Sequence, residues 1–374
     1  MREILFVAGE PSGDANAAAV ARALRAAGAT QRFVGVGGDQ LRAAGADLLK
    51  HIDRLAVMGF VGILSQIPRH WALLHDIEDR LRAGNVDLVI LVDYGGFNLH
   101  VAAAAKGAGV PVLYFITPQV WASRPGRMRA LAANVTKAAV IFRFEEELLR
   151  KNGIDAVFVG HPMLDRAANL PSPAEARAEL GLSPDAKILA LFPGSRRQEI
   201  ERHLGPFVET ARRLQAEDPS LQVIVSSAPG VELDAARCPF AMVKASSWSI
   251  FRAADAALCK SGTTTLEAAV AGCPLVVAYR ASAVDFAIAR QIATVTDIGM
   301  VNIIARRRIV PEFVQDELEP SRVAPVLREL LDARAERRQT MLRDLAQVRE
   351  SLGERGAAGR VADLALRMIG EGAR

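Results

Sequence analysis

The stretch LALFPGSRRQEIERHL, residues 189–204, joins an apolar run to a charged helical pattern through a Pro-Gly turn. The apolar run predicts a buried parallel strand, and the residues after the turn predict a helix. Gly194, Ser195, Arg196 and Arg197 therefore lie at a helix N-terminus, where unpaired N–H donors and the helix dipole favour phosphate. An ordinary strand-to-helix turn with solvated arginines fits the same residues, so this stretch alone leaves the two interpretations open.

A second candidate segment is KSGTTTLEAAVAGCP, residues 260–274. Ser261, Gly262 and Thr263 lie between a predicted strand and a predicted helix, so their N–H and hydroxyl groups could hold another anionic group. Glu267 is expected in the first helical turn, where it could accept from the two hydroxyls of a ribose or simply complement the helix dipole. The two segments together predict donors for a diphosphate and an acceptor for a ribose in the same C-terminal domain.

These segments belong to a regular alternation of apolar runs and Ala/Leu/Arg-rich helical stretches, which predicts βαβ units and parallel sheets. The predicted strands are EILFVAG, RFVGVGG, VDLVILVDY, VPVLYFI and KAAVIF in the first half, then ILALF, LQVIVSS, AALCK and PLVVAYR in the second. A Pro/Ala-rich stretch, residues 168–187, is the predicted linker. We expect domains at 1–168 and 169–344, with a C-terminal helix at about 345–374 packing back on the first. Ligands bind at the carboxyl ends of strands in such sheets, so the charged turn of each domain would line a cleft.

The composition is that of an ordinary globular enzyme: 374 residues, 51% hydrophobic, 24% charged and a net charge of +4. Aromatic residues make up only 5%, which gives little stacking surface, so nucleic acid is not the expected partner. Cys238, Cys259 and Cys273 lack metal-ligand spacing and predict buried thiols in a reduced, cytoplasmic setting. The N-terminus enters a strand directly, and no apolar run has the length of a spanning helix.

Seven motifs together resemble the bacterial lipid-A-disaccharide synthase family. They run in the family's order over roughly residues 3–315: AGEPSGD, GVGGDQLRAAG, MGFVGIL, PQVWASRPGR, FVGHPMLD, LFPGSRRQEIERHL and SGTTTLEAAVAGCPLVVAYR. The resemblance implies the GT-B fold, two Rossmann-like doubly wound α/β domains facing a cleft. It also implies transfer, with inversion and without a metal or cofactor, of 2,3-diacylglucosamine from UDP to 2,3-diacylglucosamine 1-phosphate. The product would be the β-1,6-linked lipid A disaccharide 1-phosphate.

The same resemblance assigns residues to the two sides of the reaction. On the UDP-sugar side it implies Gly194, Ser195, Arg196, Ser261, Gly262, Thr263, Glu267, Arg280 and Asn302. On the acceptor side it implies Gly9, Ser12, Gly13 and Asn98, together with Glu10 and Asp14 of the same N-terminal loop.

The catalytic base is expected among three carboxylates of the N-terminal domain. Glu10, Asp14 and Asp93 each follow a predicted strand, and Asp93 ends the most apolar one, where burial would raise its pKa. Asp14 could instead cap the helix that follows it. The sequence carries Gly96 where family members often have an aspartate, which removes one further carboxylate and leaves Asp93 as the preferred candidate.

The segment VMGFVGILSQIPRHW, residues 57–71, is the predicted membrane contact through Met58, Phe60, Ile63 and Trp71. An apolar surface bordered by Arg69 and His70 suits an anionic inner-membrane surface, and a core helix is the competing interpretation. We therefore expect a cytoplasmic protein attached peripherally to the inner face of the cytoplasmic membrane. The oligomeric state, including a homodimer, is left open.

Three other classes of function are alternatives to this one. A UDP-N-acetylglucosamine 2-epimerase or another GT-B glycosyltransferase would share the nucleotide-binding half. A non-catalytic nucleotide-sugar-binding protein is kept open by Gly96. An NAD-dependent oxidoreductase is disfavoured because GEPSGD is not the G-x-G-x-x-G fingerprint.

Overall fold

The computed structural model describes residues 2–54, 60–120, 126–227, 238–282, 286 and 297–372. The chain divides into two compact units, Met1–Asp165 with Leu352–Arg374 and Arg166–Ser351. Within the described residues no helix is long and apolar enough to cross a membrane.

The first unit is a seven-stranded parallel sheet with helices between its strands. Its strands are β1 (Glu3–Ala8), β2 (Arg32–Gly37), β3 (Ala46–His51), β4 (Val86–Val92), β5 (Val112–Phe115), β6 (Lys137–Val140) and β7 (Ala156–Phe158). Its helices are α1 (Pro11–Ala26), α2 (Asp39–Ala43), α3 (Phe60–Arg82), α4 (Phe97–Gly107), α5 (Gly126–Asn134), α6 (Arg143–Lys151) and α7 (Met163–Arg166), the last ending across the unit boundary.

The second unit contains a six-stranded parallel sheet. Its strands are β8 (Ile188–Phe192), β9 (Gln222–Ser226), β10 (Ala241–Val243), β11 (Ala256–Lys260), β12 (Leu275–Tyr279) and β13 (Glu312–Val314). Its helices are α8 (Pro173–Glu179), α9 (Arg197–Glu217), α10 (Ser247–Ala253), α11 (Thr263–Ala271), α12 (Met300–Ala305), α13 (Pro320–Leu331) and α14 (Glu336–Ser351). The chain then returns to the first unit, where α15 (Ala357–Gly372) packs on α1.

Both sheets are doubly wound, as the alternation of strands and helices predicts. The strand orders are β3-β2-β1-β4-β5-β6-β7 and β10-β9-β8-β11-β12-β13. The central strands are buried on both faces, which is why they read as continuous apolar runs. The order reverses between β1 and β4 in one sheet and between β8 and β11 in the other. These switch points are where doubly wound sheets bind ligands, and the loops that follow these four strands carry most of the predicted site residues.

The predicted linker, residues 168–187, is not an unstructured tether. It contains α8, whose N-cap Ser172 and Glu175 form a reciprocal capping box. Arg177 of α8 donates to Ala253 O at 3.0 Å and pairs with Asp255 at 3.0 Å. This segment is therefore part of the second unit, and its Pro and Ala content reflects a short capped helix.

Candidate active site

The loop after β1 approaches Tyr94, which follows β4, so closely that it needs glycine at residue 9. A Cβ on Gly9 would lie 2.2 Å from the Tyr94 ring, whereas one on Gly13 would be in ordinary contact, 3.4 Å from Val92 O. Gly13 is in the first turn of α1, while Ser12 and Glu10 beside it are exposed. Gly9 therefore allows the loop carrying Glu10 and Ser12 to lie against the loop after β4.

Asp14 is buried and does not cap the helix in which it lies, because α1 already begins at Pro11. Its Oδ1 accepts from the N–H groups of Gly38 at 2.6 Å and Leu41 at 3.1 Å, and its Oδ2 accepts from Gln40 N–H at 3.1 Å. The carboxylate therefore accepts from the free N–H groups at the start of α2, which follows the neighbouring strand β2. This corrects the sequence interpretation of Asp14 as a cap of its own helix.

Asp93 follows β4 in a backbone conformation that non-glycine residues seldom adopt. Its φ is 52° and that of Tyr94 is 56°. Its carbonyl oxygen accepts from Asn98 Nδ2 at 2.7 Å and from the Tyr114 hydroxyl at 2.8 Å. Asn98 is fully buried and holds the strained turn, and its acceptor-side role stays a prediction. Such strain persists only where surrounding contacts fix it, and it is common at functional sites.

The Asp93 carboxyl has a raised pKa. Burial and the nearby negative charge of Glu10 raise its pKa, while a 2.9 Å hydrogen bond from Tyr94 N–H acts in the opposite direction. The pKa of Asp93 is thus raised, as its position at the end of the most apolar strand predicts. Asp93 and Glu10 are close enough to influence each other, whereas Asp14 is occupied by backbone donors.

Three further residues belong to this edge of the first sheet: Tyr94 and Arg127 were not assigned from the sequence, and His70 was predicted to border the membrane contact. Burial, with the charge of Glu10, raises the pKa of Tyr94 to about 12, and its hydroxyl is hydrogen-bonded to His70 of α3. The Arg127 guanidinium of α5 lies beside the glycine turn, since a Cβ on Gly96 would be 4.0 Å from its Nη2. Arg127 lies in the PQVWASRPGRMR stretch, so the motif was the available signal.

Of the four residues predicted to contact a membrane, the structure describes the side chain of one. Trp71 is 57% exposed, with its ring 6.1 Å from that of His100. Met58 lies outside the described residues, and Phe60 and Ile63 are described only as backbone of α3. The segment from Phe60 onward is therefore helical.

The Pro193-Gly194 turn joins β8 to α9 as predicted. Gly194 has φ 135°, and a Cβ there would lie 2.6 Å from the Glu199 Cβ, so only glycine fits. Arg196 is the N-cap of α9, and its side chain is exposed, as is Ser195. Arg197 pairs with Glu201 at 3.0 Å on the outer surface of the helix.

A carboxylate already occupies the N–H groups of this turn. Glu199 Oε2 accepts from Ser195 N–H at 3.0 Å and from Arg196 N–H at 3.3 Å. Its other oxygen, Oε1, accepts from Lys260 Nζ at 2.9 Å. Lys260 is the last residue of β11, on the other side of the switch point. The turn and the end of β11 therefore meet around one negative charge, as a phosphate site requires.

The loop after β11 is fixed by its own polar groups. Ser261 N–H donates to Ala278 O at 2.9 Å, and the Ser261 hydroxyl donates to Ile298 O at 2.7 Å. Gly262 is the N-cap of α11, and Thr263, the first helical residue, is exposed. The exposed start of α11 leaves Gly262 and Thr263 accessible, while the hydroxyl of Ser261 is used to hold the loop.

Glu267 lies in the second turn of α11 and not in the first, because the helix begins only at Thr263. Its interaction with the helix dipole is correspondingly weaker. Burial raises its pKa, against the effects of a hydrogen bond from the Ser247 hydroxyl and the charge of Arg166. The Ser247 bond is 2.8 Å long and engages Oε2. Glu267 is thus a partly buried carboxylate between α10 and α11.

Arg280 and His203 connect the turn to the end of β12. Arg280 N–H donates to His203 Nε2 at 2.8 Å, so that nitrogen carries no proton and the Nδ1–H donates to Glu199 O at 2.6 Å. Burial lowers the pKa of His203, in accord with a neutral ring. The Arg280 guanidinium donates to Gln315 O at 3.2 Å and Leu318 O at 3.0 Å. Arg280 therefore holds the 315–318 loop.

Asn302 is fully buried, and its amide is saturated inside the second unit. Nδ2 donates to Val310 O at 2.9 Å and Glu312 Oε1 at 2.7 Å, and Oδ1 accepts from the N–H groups of Ile309 and Val310 at 2.8 and 2.9 Å. An amide side chain has two donor hydrogens and two acceptor sites, so none is left for a ligand. Asn302 therefore shapes the 309–312 segment and does not itself contact a nucleotide in this arrangement.

Solved structures of similar fold include a glycosyltransferase and a protein determined with UDP bound. The glycosyltransferase of kitacinnamycin superposes with a TM-score of 0.66 at 16% identity, covering 98% of each chain. The UDP co-structure of S. aureus MnaA gives a TM-score of 0.63 at 13% identity, covering 99% of this chain and 96% of that one. At such identities the likeness shows the fold alone, and it confirms the predicted GT-B class.

Sequence comparison is more specific. The lipid-A-disaccharide synthetase family model matches residues 4–361. The lipid-A-disaccharide synthase of Myxococcus xanthus strain DK1622 is 39% identical over 376 residues, 99% of this chain and 98% of that protein. That of Geobacter sulfurreducens is 35% identical over 375 residues, 98% of this chain and 97% of that protein. The chain belongs to the lipid-A-disaccharide synthase family.

Proposed function

We propose that this chain is an inverting glycosyltransferase that makes the β-1,6-linked lipid A disaccharide 1-phosphate. Its donor is UDP-2,3-diacylglucosamine, and its acceptor is 2,3-diacylglucosamine 1-phosphate. The observation that carries the proposal is the family match over residues 4–361. The placement of the candidate residues at the two switch points supports it.

In the proposed reaction the acceptor 6-hydroxyl oxygen attacks the anomeric carbon of the donor sugar. The bond from that carbon to the UDP oxygen breaks, and UDP leaves with the electron pair. Positive charge and N–H donors stabilise the developing charge on the leaving diphosphate. The N–H groups of Ser195 and Arg196 and the exposed Arg196 guanidinium suit that role, and Glu267 suits the ribose hydroxyls.

The proton of the attacking hydroxyl passes to a carboxylate on the face opposite UDP. We assign this base to Asp93, whose pKa burial and Glu10 raise toward the working range of a base. Asp93 and Tyr94 both have a left-handed backbone conformation, which restricts the direction in which the Asp93 carboxyl can point. Glu10 is the second candidate, and the bonds that Asp14 accepts from α2 argue against Asp14.

The substrates carry acyl chains, so the proposal includes peripheral attachment to an anionic membrane surface through residues 57–71. Of the four predicted contact residues, Trp71 is the one whose side chain the structure describes, and it is exposed. An aromatic ring with an apolar body and a polar edge is suited to the membrane interface.

The deciding experiment incubates the purified protein with UDP-2,3-diacylglucosamine and 2,3-diacylglucosamine 1-phosphate and identifies the products by mass spectrometry. The expected products are an acylated disaccharide phosphate and UDP. Conversion of a UDP-sugar to its 2-epimer, without a disaccharide, would support the epimerase alternative. Binding of UDP without turnover would support a nucleotide-sugar-binding protein.

A further inference from the structure

The diphosphate-binding turn of the second unit carries its own anion. The Glu199 carboxylate engages Ser195 N–H and Arg196 N–H with one oxygen and Lys260 with the other. A diphosphate oxygen would bond to the same three donors. Two anions cannot share them, because like charges at hydrogen-bond distance repel each other strongly.

Lys260 is suited to take a new partner. It belongs to a different element, β11, and its side chain is 18% exposed, against 17% for Glu199. Around it lie the Tyr279 ring, 5.9 Å away, and the neutral His203. Glu199 is the carboxylate that pairs with it among the described residues. Once Glu199 leaves, the ammonium would need another anion, since a half-buried charge without a partner is costly.

We propose that Glu199 is an internal competitor of the nucleotide diphosphate, and that Lys260 changes partner from Glu199 to the diphosphate when UDP binds. This proposal rests on the proposed function, because it takes the turn as the UDP site. The Glu199 side chain lies against Gly194, where a Cβ would be 2.8 Å from its Oε2, and the exchange requires that side chain to rotate away from the turn. In the free protein the competitor keeps the donors satisfied and oriented.

The charge state of Glu199 agrees with this role. Burial raises the pKa of its carboxyl, but the hydrogen bond and charge of Lys260 and the two N–H donors together bring it below the ordinary value. Glu199 is therefore ionised at neutral pH and competes as an anion.

The test measures UDP affinity by calorimetry for the wild type, Glu199→Gln, Lys260→Met and the double variant. Glutamine keeps the size of the side chain but removes its charge, so Glu199→Gln should bind UDP about tenfold more tightly, the effect of one weakened charged hydrogen bond. Lys260→Met alone should weaken binding only a few-fold, because it also weakens the competitor. In the Glu199→Gln background it should weaken binding by about tenfold or more.

Two controls separate the exchange from other effects. Glu201→Gln removes the same charge two residues further along α9, where Glu201 pairs with Arg197, and should leave UDP affinity unchanged. Uridine lacks phosphate, so its affinity should be the same in all four proteins. Thermal melting verifies that each variant is folded.

Weaker or unchanged UDP binding by folded Glu199→Gln would overturn the competitor role. No effect of Lys260→Met in the Glu199→Gln background would show that Lys260 only neutralises Glu199. Failure of the wild type to bind UDP at all would instead contradict the proposed function, so the two failures are distinguishable.

Discussion

Asp93, the candidate base, is held in a conformation that costs stability. Its positive φ and its half-buried carboxyl both cost free energy, and Asn98 and Tyr114 hold the turn against that cost. Asparagine is isosteric and tolerates positive φ better than most residues. Asp93→Asn should therefore leave the geometry in place while removing the base.

We predict that Asp93→Asn lowers turnover by at least about a hundredfold, the usual contribution of a general base, with UDP affinity unchanged. Near-normal turnover of Asp93→Asn, with a loss in Glu10→Gln, would move the base to the first loop.

The same variant should be more heat-stable at neutral pH. The folded-state pKa of Asp93 is raised, so the folded protein binds the proton more tightly than the unfolded chain does. Its contribution to stability is greatest at low pH and is lost as the pH rises from the ordinary aspartate pKa through the raised one. The melting temperature of Asp93→Asn should exceed that of the wild type at pH 7.5, and the difference should shrink toward pH 4.

Arg196 and Arg197 are neighbours with different surroundings. Arg196 is exposed at the N-cap of α9, while Arg197 pairs with Glu201. We predict that Arg196→Ala weakens UDP binding by about 1.5–3 kcal/mol, the range for hydrogen bonds to charged groups. Arg197→Ala is the matched control and should change the binding free energy by less than about 0.5 kcal/mol. Equal affinities of the wild type and Arg196→Ala in calorimetry would remove Arg196 from the site.

Glu267 has a partner already, since the Ser247 hydroxyl engages one of its two carboxylate oxygens. If the carboxylate also accepts from a ribose, the wild type should bind UDP more tightly than 2′,3′-dideoxy-UDP, and Glu267→Gln should discriminate less. Ser247→Ala serves as the control for the internal bond. Identical discrimination by wild type and Glu267→Gln would leave Glu267 with a structural role between α10 and α11.

At the scale of elements, α3 combines a buried part with the predicted membrane contact. Its C-terminal half is anchored in the core through Leu73, Leu74, Ile77 and Leu81, whereas Trp71 is exposed. We predict that replacing Phe60 and Ile63 with serine releases the protein from anionic vesicles and leaves the melting temperature unchanged, because those positions would contact lipid.

The matched control for this experiment is Leu74→Ala in the anchored half. It should cost about 2–5 kcal/mol of stability without a specific effect on vesicle binding. Unfolding of the Phe60/Ile63 double variant would indicate that the N-terminal half of α3 is a core helix too.

At the scale of the whole molecule, the last helix ties the C-terminal end of the chain to the first unit. The buried Val361 belongs to α15, which packs on α1, and Arg360 Nε donates to Val159 O at 2.8 Å. We predict that Val361→Asp destabilises the first unit by at least about 3 kcal/mol, because it buries an unpaired charge.

UDP affinity reports separately on the second unit, and Val361→Asp should leave it unchanged. Asp363→Ala, on the exposed side of the same helix, is the control and should alter neither quantity. If Val361→Asp abolished UDP binding as well as the melting transition of the first unit, the two units would not fold independently.

The sequence by itself determined the alternating α/β pattern and the class of the fold. Short apolar runs such as VDLVILV, placed between helical stretches, are typical of parallel strands buried on both faces. It did not reveal β3, whose residues ADLLKH are mixed in polarity and only partly buried at the sheet edge. It also did not reveal that the Pro/Ala-rich stretch at 168–187 is anchored by Arg177.

The tertiary structure alone decided what each polar side chain bonds to. Asp14 is hydrogen-bonded to a helix that begins 25 residues later. Glu199 is hydrogen-bonded to Lys260, 61 residues away, and His203 to Arg280, 77 residues away. Local patterns specify backbone conformation through neighbours, whereas these contacts depend on which strands the sheet places side by side. The motifs thus identified the charged turn of each domain from the sequence, and only the packed sheets showed that a carboxylate already occupies the N–H donors of the turn after β8.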